Sequence, residues 1–457
     1  MRLTQPTPLF PDIIASKLAQ HQPYRAIYIA YSGGIDSHVL LHLCASIDHL
    51  KSKITAVYVN HGLQAEAENW CLHCQQTCEN LGVKFLSLKA NAQALPGESP
   101  EEAARNARYE ALKPLLAEGD LLLLAQHGDD QLETVLLQLF RGSGLKGLSG
   151  MPESIAFGQG KLVRPLLDVS KNAIIDYAEA NQLQWIEDPS NQHTHFDRNF
   201  LRNDIIPLLK QRWPSLEKTV SRSAQHCANA QDLLATVADD LLTIVINPGN
   251  NTLSLSRLQV YPLLQQQLVI RQWFHYLGLK MPSQDVVQRV FEEVVAARED
   301  ADPSLSTQGY WIRRYRDVLY CLKPTQDSLG DNFIWPSDNR SLQVANDVAY
   351  EIVESSSGIP TELWRNAKIT VKFRSGGEVL ELPGRKGHHD LKKLYQEVGI
   401  PPWERAGIPL IYLDDKLAAV GEYWISAEFY CEGEEPCLRI IGHKINPKGN
   451  DDAANVD

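Results

Sequence analysis

The chain has 457 residues, 44% of them hydrophobic and 22% charged, with a formal net charge of −12. That length exceeds what one core organises, so two or three domains are expected, and no apolar run reaches the ~20 residues a membrane helix needs. The acidic balance excludes a protein that coats nucleic acid by bulk charge and leaves room only for a local basic patch.

The opening MRLTQPTPLFPDII has no basic start followed by an apolar stretch, so no signal peptide is read and the cytoplasm is the expected compartment. Short apolar segments at 25–31, 53–60, 83–89 and 119–126 read as strands, and helical patterns at 37–48, 65–81 and 99–117 lie between them. The third helix opens with Ser99, Pro100, Glu101 and Glu102: a capping serine, a proline at the first helical position and a glutamate that completes a capping box. Such alternation predicts an α/β domain with a doubly wound, mostly parallel sheet covered on both faces, whose ligands sit at the carboxyl ends of the strands.

Eight cysteines fit a reduced compartment. Cys71, Cys74 and Cys78 fall on one helical face, which favours packing; a metal site would want a second ligand pair, and the other cysteines are scattered.

The alternation stops around Pro207–Pro214. A helix-rich stretch follows, the pattern at 309–322 predicts a hairpin, and 325–340 is polar and turn-rich. The expected domains are therefore 1–214, a helical middle domain at 215–324, a linker at 325–340, a small α+β domain at 341–447 and a disordered tail at 448–457.

Within the first domain the chain turns from strand to helix through Ser32, Gly33, Gly34, Ile35, Asp36 and Ser37. Such a corner points amide N–H groups outward beside the positive end of a helix dipole, and glycine lets phosphate oxygens approach them. Ser32 and Ser37 add hydroxyl donors, and Asp36 can approach phosphate only across a Mg²⁺. The Gly-Lys-Ser/Thr ending of a Walker loop is missing.

This loop resembles that of the PP-loop ATP pyrophosphatases, which split ATP into AMP and pyrophosphate while adenylating a substrate. Further segments occur in order: Val59–Leu63, Gln126–Thr134, Arg141–Leu148, Arg164–Leu167, Glu187–Asn191 and Arg198–Arg202, then Leu382–Lys386, Leu391–Leu394 and Ile400–Leu410. Together they resemble the tRNA(Ile)-lysidine synthetase family across all three regions.

The resemblance implies an adenine nucleotide alpha hydrolase-like fold for the first domain and a tRNA-binding role for the last. It also implies a two-step reaction. The C2 carbonyl oxygen of the wobble cytidine, in the CAU anticodon of tRNA(Ile), attacks the ATP α-phosphate; L-lysine then displaces AMP and leaves lysidine. ATP, Mg²⁺, L-lysine and tRNA(Ile) are the implied ligands, with the protein either a monomer or a homodimer. The ATP site would comprise Ser32, Gly33, Gly34, Ile35, Asp36, Ser37, His61 and Arg105, with Asp36 also a Mg²⁺ ligand.

Asp130 and Glu133, three apart at a helix start, face one side of the cleft. They could bind Mg²⁺, hold an ammonium or complement the helix dipole; the resemblance favours catalysis beside cytidine and lysine, with Glu133 accepting the lysine proton. Arg198, four residues before Arg202, is implied to steady the α-phosphate. His61 and His127 both end strands at the ligand edge.

For the RNA, Lys146 is implied on the substrate side, and Arg385, Lys386, Lys392 and Lys393 form the densest basic cluster. Arg313, Arg314 and Arg316 offer a second surface. A second Ser-Gly-Gly, at Ser375–Gly377, lacks the Asp-Ser ending and reads as a turn. Two other functions remain in view: sulfur transfer to tRNA, which needs a sulfur carrier such as paired cysteines near the loop or an iron–sulfur cluster, and a non-catalytic nucleotide-binding RNA module.

Overall fold

The computed structural model describes residues 10–60, 66–91, 100–188, 196–298, 301–307, 309–323, 333–345 and 348–444. His61, the capping Ser99 and the tail at 448–457 lie outside them. The chain forms two compact units, Met1–Asp239 and Asp240–Asp457. No described helix is long and apolar enough to cross a membrane.

The first unit is built on a six-stranded sheet of β1 (Ile27–Ala30), β2 (Ile54–Asn60), β3 (Lys84–Lys89), β4 (Leu121–Leu123), β5 (Ser154–Phe157) and β6 (Gly160–Val163). Their order is β3-β2-β1-β4-β6-β5, parallel throughout except for β5, which pairs antiparallel with β6. All four strands read from the sequence are present. Both faces are covered. Ile27, Ile29 and Leu121 pack with Val39, Leu43 and Cys78 on one side, whereas Val57, Leu122 and Leu124 pack with Leu112 and Leu116 on the other. Burial on both faces is why these strands are runs of Ile, Val and Leu rather than alternating patterns.

The strand order reverses between β1 and β4, since β2 and β3 extend one way and β6 and β5 the other. Crevices at the carboxyl ends of such a pair are where ligands bind in open α/β sheets. Two loops meet there. One runs from β1 into the helix Ile35–Ala45, and the other from β4 into the helix Gly128–Phe140.

Cys74 and Cys78 are fully buried in the core below the first of these loops, and burial pushes both thiols up to about 12. Cys71 is half-buried and its thiol meets the Ser87 hydroxyl at 3.4 Å. Among the described residues no group of three His, Cys, Asp or Glu could hold a metal. Cys74 and Cys78 pack into the core, with Cys71 half-buried against it, as their shared helical face suggests.

The second unit is richer in sheet than its sequence suggests. The hairpin of Tyr310–Tyr315 and Val318–Leu322 is present, within a five-stranded sheet that also takes in Ile246–Asn247, Thr252–Ser254 and Ser304–Thr307. Strands of two to four residues carry too little alternation to show in a sequence. Helices supply the rest of that core through Trp273, Phe274 and Val290. Toward the C-terminus, two long strands, Val348–Pro360 and Cys431–Lys444, pair antiparallel beside another five-stranded sheet.

Two expectations are corrected here. Residues 333–340 are not a linker: Phe333–Ile334 pairs with Thr370 and Val371, and Trp335 is buried against Trp364. The apolar Phe-Ile-Trp within a polar stretch was the overlooked signal. Nor is Arg313–Arg316 an open basic surface. Arg314 is buried and donates to the carbonyls of Val295, Ala297 and Arg298, Arg316 donates to the Gln396 carbonyl, and Arg313 lies over the rings of Trp311 and Trp403. The Ser375–Gly377 stretch is the expected turn, and Glu378 of the same chain occupies its Ser375 and Gly376 amides, each at 2.7 Å.

Candidate active site

Gly33 adopts φ +83°, a conformation that L side chains rarely take, and a Cβ there would stand 2.5 Å from Ile186 Cδ1 and 3.0 Å from Cys74 Sγ. The turn is pinned from behind, because the Ile186 amide donates to the Gly33 carbonyl at 2.9 Å. Ser37 Oγ donates to the Gly34 carbonyl at 2.9 Å, accepts from the Ser32 amide at 3.2 Å and lies 3.2 Å from Ser32 Oγ. Both serines thus face the same side of the corner. Ser32, Gly34, Asp36 and Ser37 border a cavity of about 510 Å³, within the range of small-ligand sites.

His127 closes the second loop. It caps the helix Gly128–Phe140: its Nδ1 accepts from the Asp129 amide at 3.3 Å, and Asp130 returns a bond to the His127 amide at 3.1 Å. Its Nε2 lies 3.4 Å from both Asp36 and Asp130. One buried ring thereby ties the two loops together. Burial works against charging it, but Asp130 and then Asp36 raise its proton affinity above the ordinary value.

Lys171 Nζ meets Asp36 at 2.5 Å. Burial opposes the Asp36 charge, yet His127 and Lys171 outweigh it and hold the carboxyl well below the usual range.

Glu133 is only 1% exposed. Its oxygens accept from Arg202 Nε at 2.6 Å, Arg202 Nη2 at 2.8 Å and Arg198 Nε at 3.0 Å. Arg202 Nη2 also reaches Asp130 at 2.8 Å. Asp129 points the other way, accepting from Lys210 and from the Lys171 amide. The three acids at the start of this helix each have a cationic partner, and of Asp130 and Glu133 only Asp130 borders the cavity, with Arg198 and Arg202.

The structure thus brings together Ser32, Gly34, Asp36, Ser37, Asp130, Arg198 and Arg105, which stands over the Tyr109 ring on the opposite wall. It does not bring Glu133 to the surface of the cavity, and Lys146 is exposed on the short turn Leu145–Leu148, away from the lining. The sequence reading missed Lys171, for which there was no motif. It saw Arg202 only as the second of two arginines, although the i, i+4 spacing that puts both on one face was legible. In the last domain Arg385, Lys386, Lys392 and Lys393 are all exposed; Arg385 bonds Glu397 at 2.9 Å and Lys393 lies 3.9 Å from Asp390.

A glycine corner after a parallel strand, an aspartate on its helix and a polar cavity at the strand switch define a nucleotide-handling domain of the PP-loop class. Residues 12–209 match the PP-loop domain family, 253–320 the TilS substrate binding domain and 369–441 the TilS substrate C-terminal domain. The tRNA(Ile)-lysidine synthase of Methylococcus capsulatus is 41% identical over 421 residues, 91% of this chain and 95% of that one. Those of Coxiella burnetii and Pectobacterium atrosepticum are 41% and 40% identical, covering 89% and 94% of this chain and 91% and 97% of theirs. The chain belongs to the tRNA(Ile)-lysidine synthase family.

Proposed function

We propose that this chain joins L-lysine to C2 of the wobble cytidine of a CAU-anticodon tRNA(Ile), at the expense of ATP, giving lysidine, AMP and pyrophosphate. One observation carries the reading: the loop corner, Asp36, Asp130, Arg198 and Arg202 border one cavity at the β1–β4 switch, in a chain related over nine-tenths of its length to lysidine synthases.

The chemistry asks for three things. Pyrophosphate must be held as it leaves, and the amides and hydroxyls of Ser32–Ser37 suit this. Charge building on the α-phosphate must be met by preorganised donors. Arg198 and Arg202 border the cavity and are locked in place by Glu133, so they need no reorganisation during the reaction. A carboxylate must hold the incoming ammonium, and Asp130 is the member of the pair that a ligand can reach.

Glu133 is then a positioning residue rather than the proton acceptor, because it is buried off the cavity with both oxygens on guanidinium donors, whereas Asp130, though bonded to Arg202 and the His127 amide, borders the cavity. Lys171 and His127 meet Asp36 through Oδ1, so Mg²⁺ would be held at its other carboxylate oxygen with phosphate and water completing its shell, and would supply charge neutralisation on the phosphates. Recognition of the RNA outside the anticodon falls to the second unit, through the exposed cations Arg385, Lys386, Lys392 and Lys393, of which Arg385 and Lys393 have a carboxylate nearby.

Sulfur transfer is not favoured, since Cys74 and Cys78 are buried and their thiols stay protonated. Mass analysis of a tRNA(Ile) transcript after incubation with the protein, ATP and lysine tests the proposal. The expected product is heavier by one lysine less one water, with pyrophosphate released only when tRNA is present and beyond one equivalent per tRNA only when lysine is added. Pyrophosphate release with no change in the mass of the RNA refutes it.

A further inference from the structure

Arg164 is 4% exposed and has no carboxylate partner among the described residues. Its guanidinium donates from Nη1 to the Pro152 carbonyl at 2.7 Å and from Nε to Oε1 of Gln126. A guanidinium has no acceptor atom, so the Gln126 atom that it touches must be the amide oxygen, and the amide cannot flip. The –NH₂ end is thereby fixed as the free end of a side chain that borders the cavity. Gln126 also directly precedes His127, the ring joining Asp36 to Asp130.

Burying a cation against neutral carbonyls is costly. Burial lowers its proton affinity, and the nearby Tyr109 only partly offsets this. The arrangement also has an effect on Gln126: a positive charge behind the oxygen draws electron density from the amide and strengthens its N–H donors. The cavity that Gln126 borders also takes in Ala30, Val57, Val59, Leu124 and Ala125, beside charged groups such as Arg105 and Arg108. A neutral, sharpened donor in a cavity with such apolar residues suits the edge of a flat heterocycle better than a phosphate, which would be drawn to the amide corner and the guanidinium groups instead.

The geometry points to Gln126 as a specificity-determining donor that reads a ring nitrogen or carbonyl oxygen on a nucleobase, with Arg164 as the positioning residue that fixes its orientation. Two bases enter this site on the reading above, the adenine of ATP and the target pyrimidine, and only the second possibility rests on that reading. The acceptor belongs to one of them.

Gln126→Glu separates these cases. It keeps the length of the side chain and gives Arg164 a stronger partner, but presents an acceptor where the donor stood. If the acceptor is on adenine, ATP binding measured by calorimetry without tRNA falls about tenfold or more. One of the deaza analogues of ATP, each lacking a ring nitrogen, then binds the variant and the native protein alike. If the acceptor is on the pyrimidine, ATP binding is unchanged, and tRNA-dependent pyrophosphate release falls by a similar factor. Gln126→Met, which lacks both polar ends, carries the same expectation and serves if the glutamate variant does not fold. For Arg164, Arg164→Lys reproduces the same selective loss in milder form, in addition to any loss of stability. Native ATP binding together with native tRNA-dependent turnover in both Gln126 variants overturns the inference. Absence of turnover in the native protein counts instead against the proposed function.

Discussion

Arg202→Met removes three contacts of the charge network, two to Glu133 and one to Asp130. Breaking a fully buried pair by deleting one partner costs about 3–5 kcal/mol, and an exposed pair about 0–1 kcal/mol. Here the Glu133 side chain is 1% exposed and that of Arg202 38%, and Arg198 still holds one Glu133 oxygen. The expected loss lies between these limits, at about 2–3 kcal/mol, after allowing for solvent around Arg202. For a unit of this size each kcal/mol lowers Tm by about 2–4 °C, so the transition of the N-terminal unit should fall by about 4–12 °C in a calorimetric scan. Arg202→Lys keeps the charge but not the fork that spans both acids, and should fall in between. Adding Glu133→Gln to Arg202→Met should recover part of the loss, because a neutral amide is less costly to bury unpaired than a carboxylate. A Tm for Arg202→Met within about 1 °C of the native protein refutes the argument that Glu133 needs this partner.

Gly33→Ala should cost ATP affinity, since the αL backbone costs an alanine about 1–2 kcal/mol and the new methyl meets Ile186; Ile186→Ala should restore only part of the binding, as calorimetric titration would show. Asp129 is held below its ordinary range, with burial opposing and Lys210 prevailing, and Lys210 is itself raised against its own burial penalty. The pair therefore contributes fully between about pH 4 and pH 10. Lys210→Met should lower Tm most at neutral pH, by a gap that narrows as acidity rises below the usual aspartate range and through the depressed pKa. A gap that widens in acid contradicts the pairing. Lys386→Glu with Lys392→Glu should reduce the salt dependence of tRNA binding by a slope of roughly one to two and leave ATP binding unchanged. An unchanged slope removes these lysines from the interface.

The sequence alone determined the local grammar of the catalytic unit. Apolar runs marked the four parallel strands because both faces of that sheet are buried, and two adjacent glycines between strand and helix marked the phosphate corner because few other residues permit that turn. The i, i+3 spacing of Asp130 and Glu133 put them on one face because a helix has a fixed period. Tertiary structure decided which of those groups faces the cavity. Glu133 and Asp130 look equivalent in sequence, but only the folded chain brings Arg198 and Arg202, some sixty-five to seventy residues away, against Glu133 and leaves Asp130 on the cavity. Likewise Arg314 and Lys392 carry the same charge, yet one spends it on buried carbonyls and the other shows it to solvent. Chemical type and local period are properties of neighbours along the chain. Burial and the choice of ion partner depend on what long-range packing brings alongside, and no short stretch of sequence encodes that.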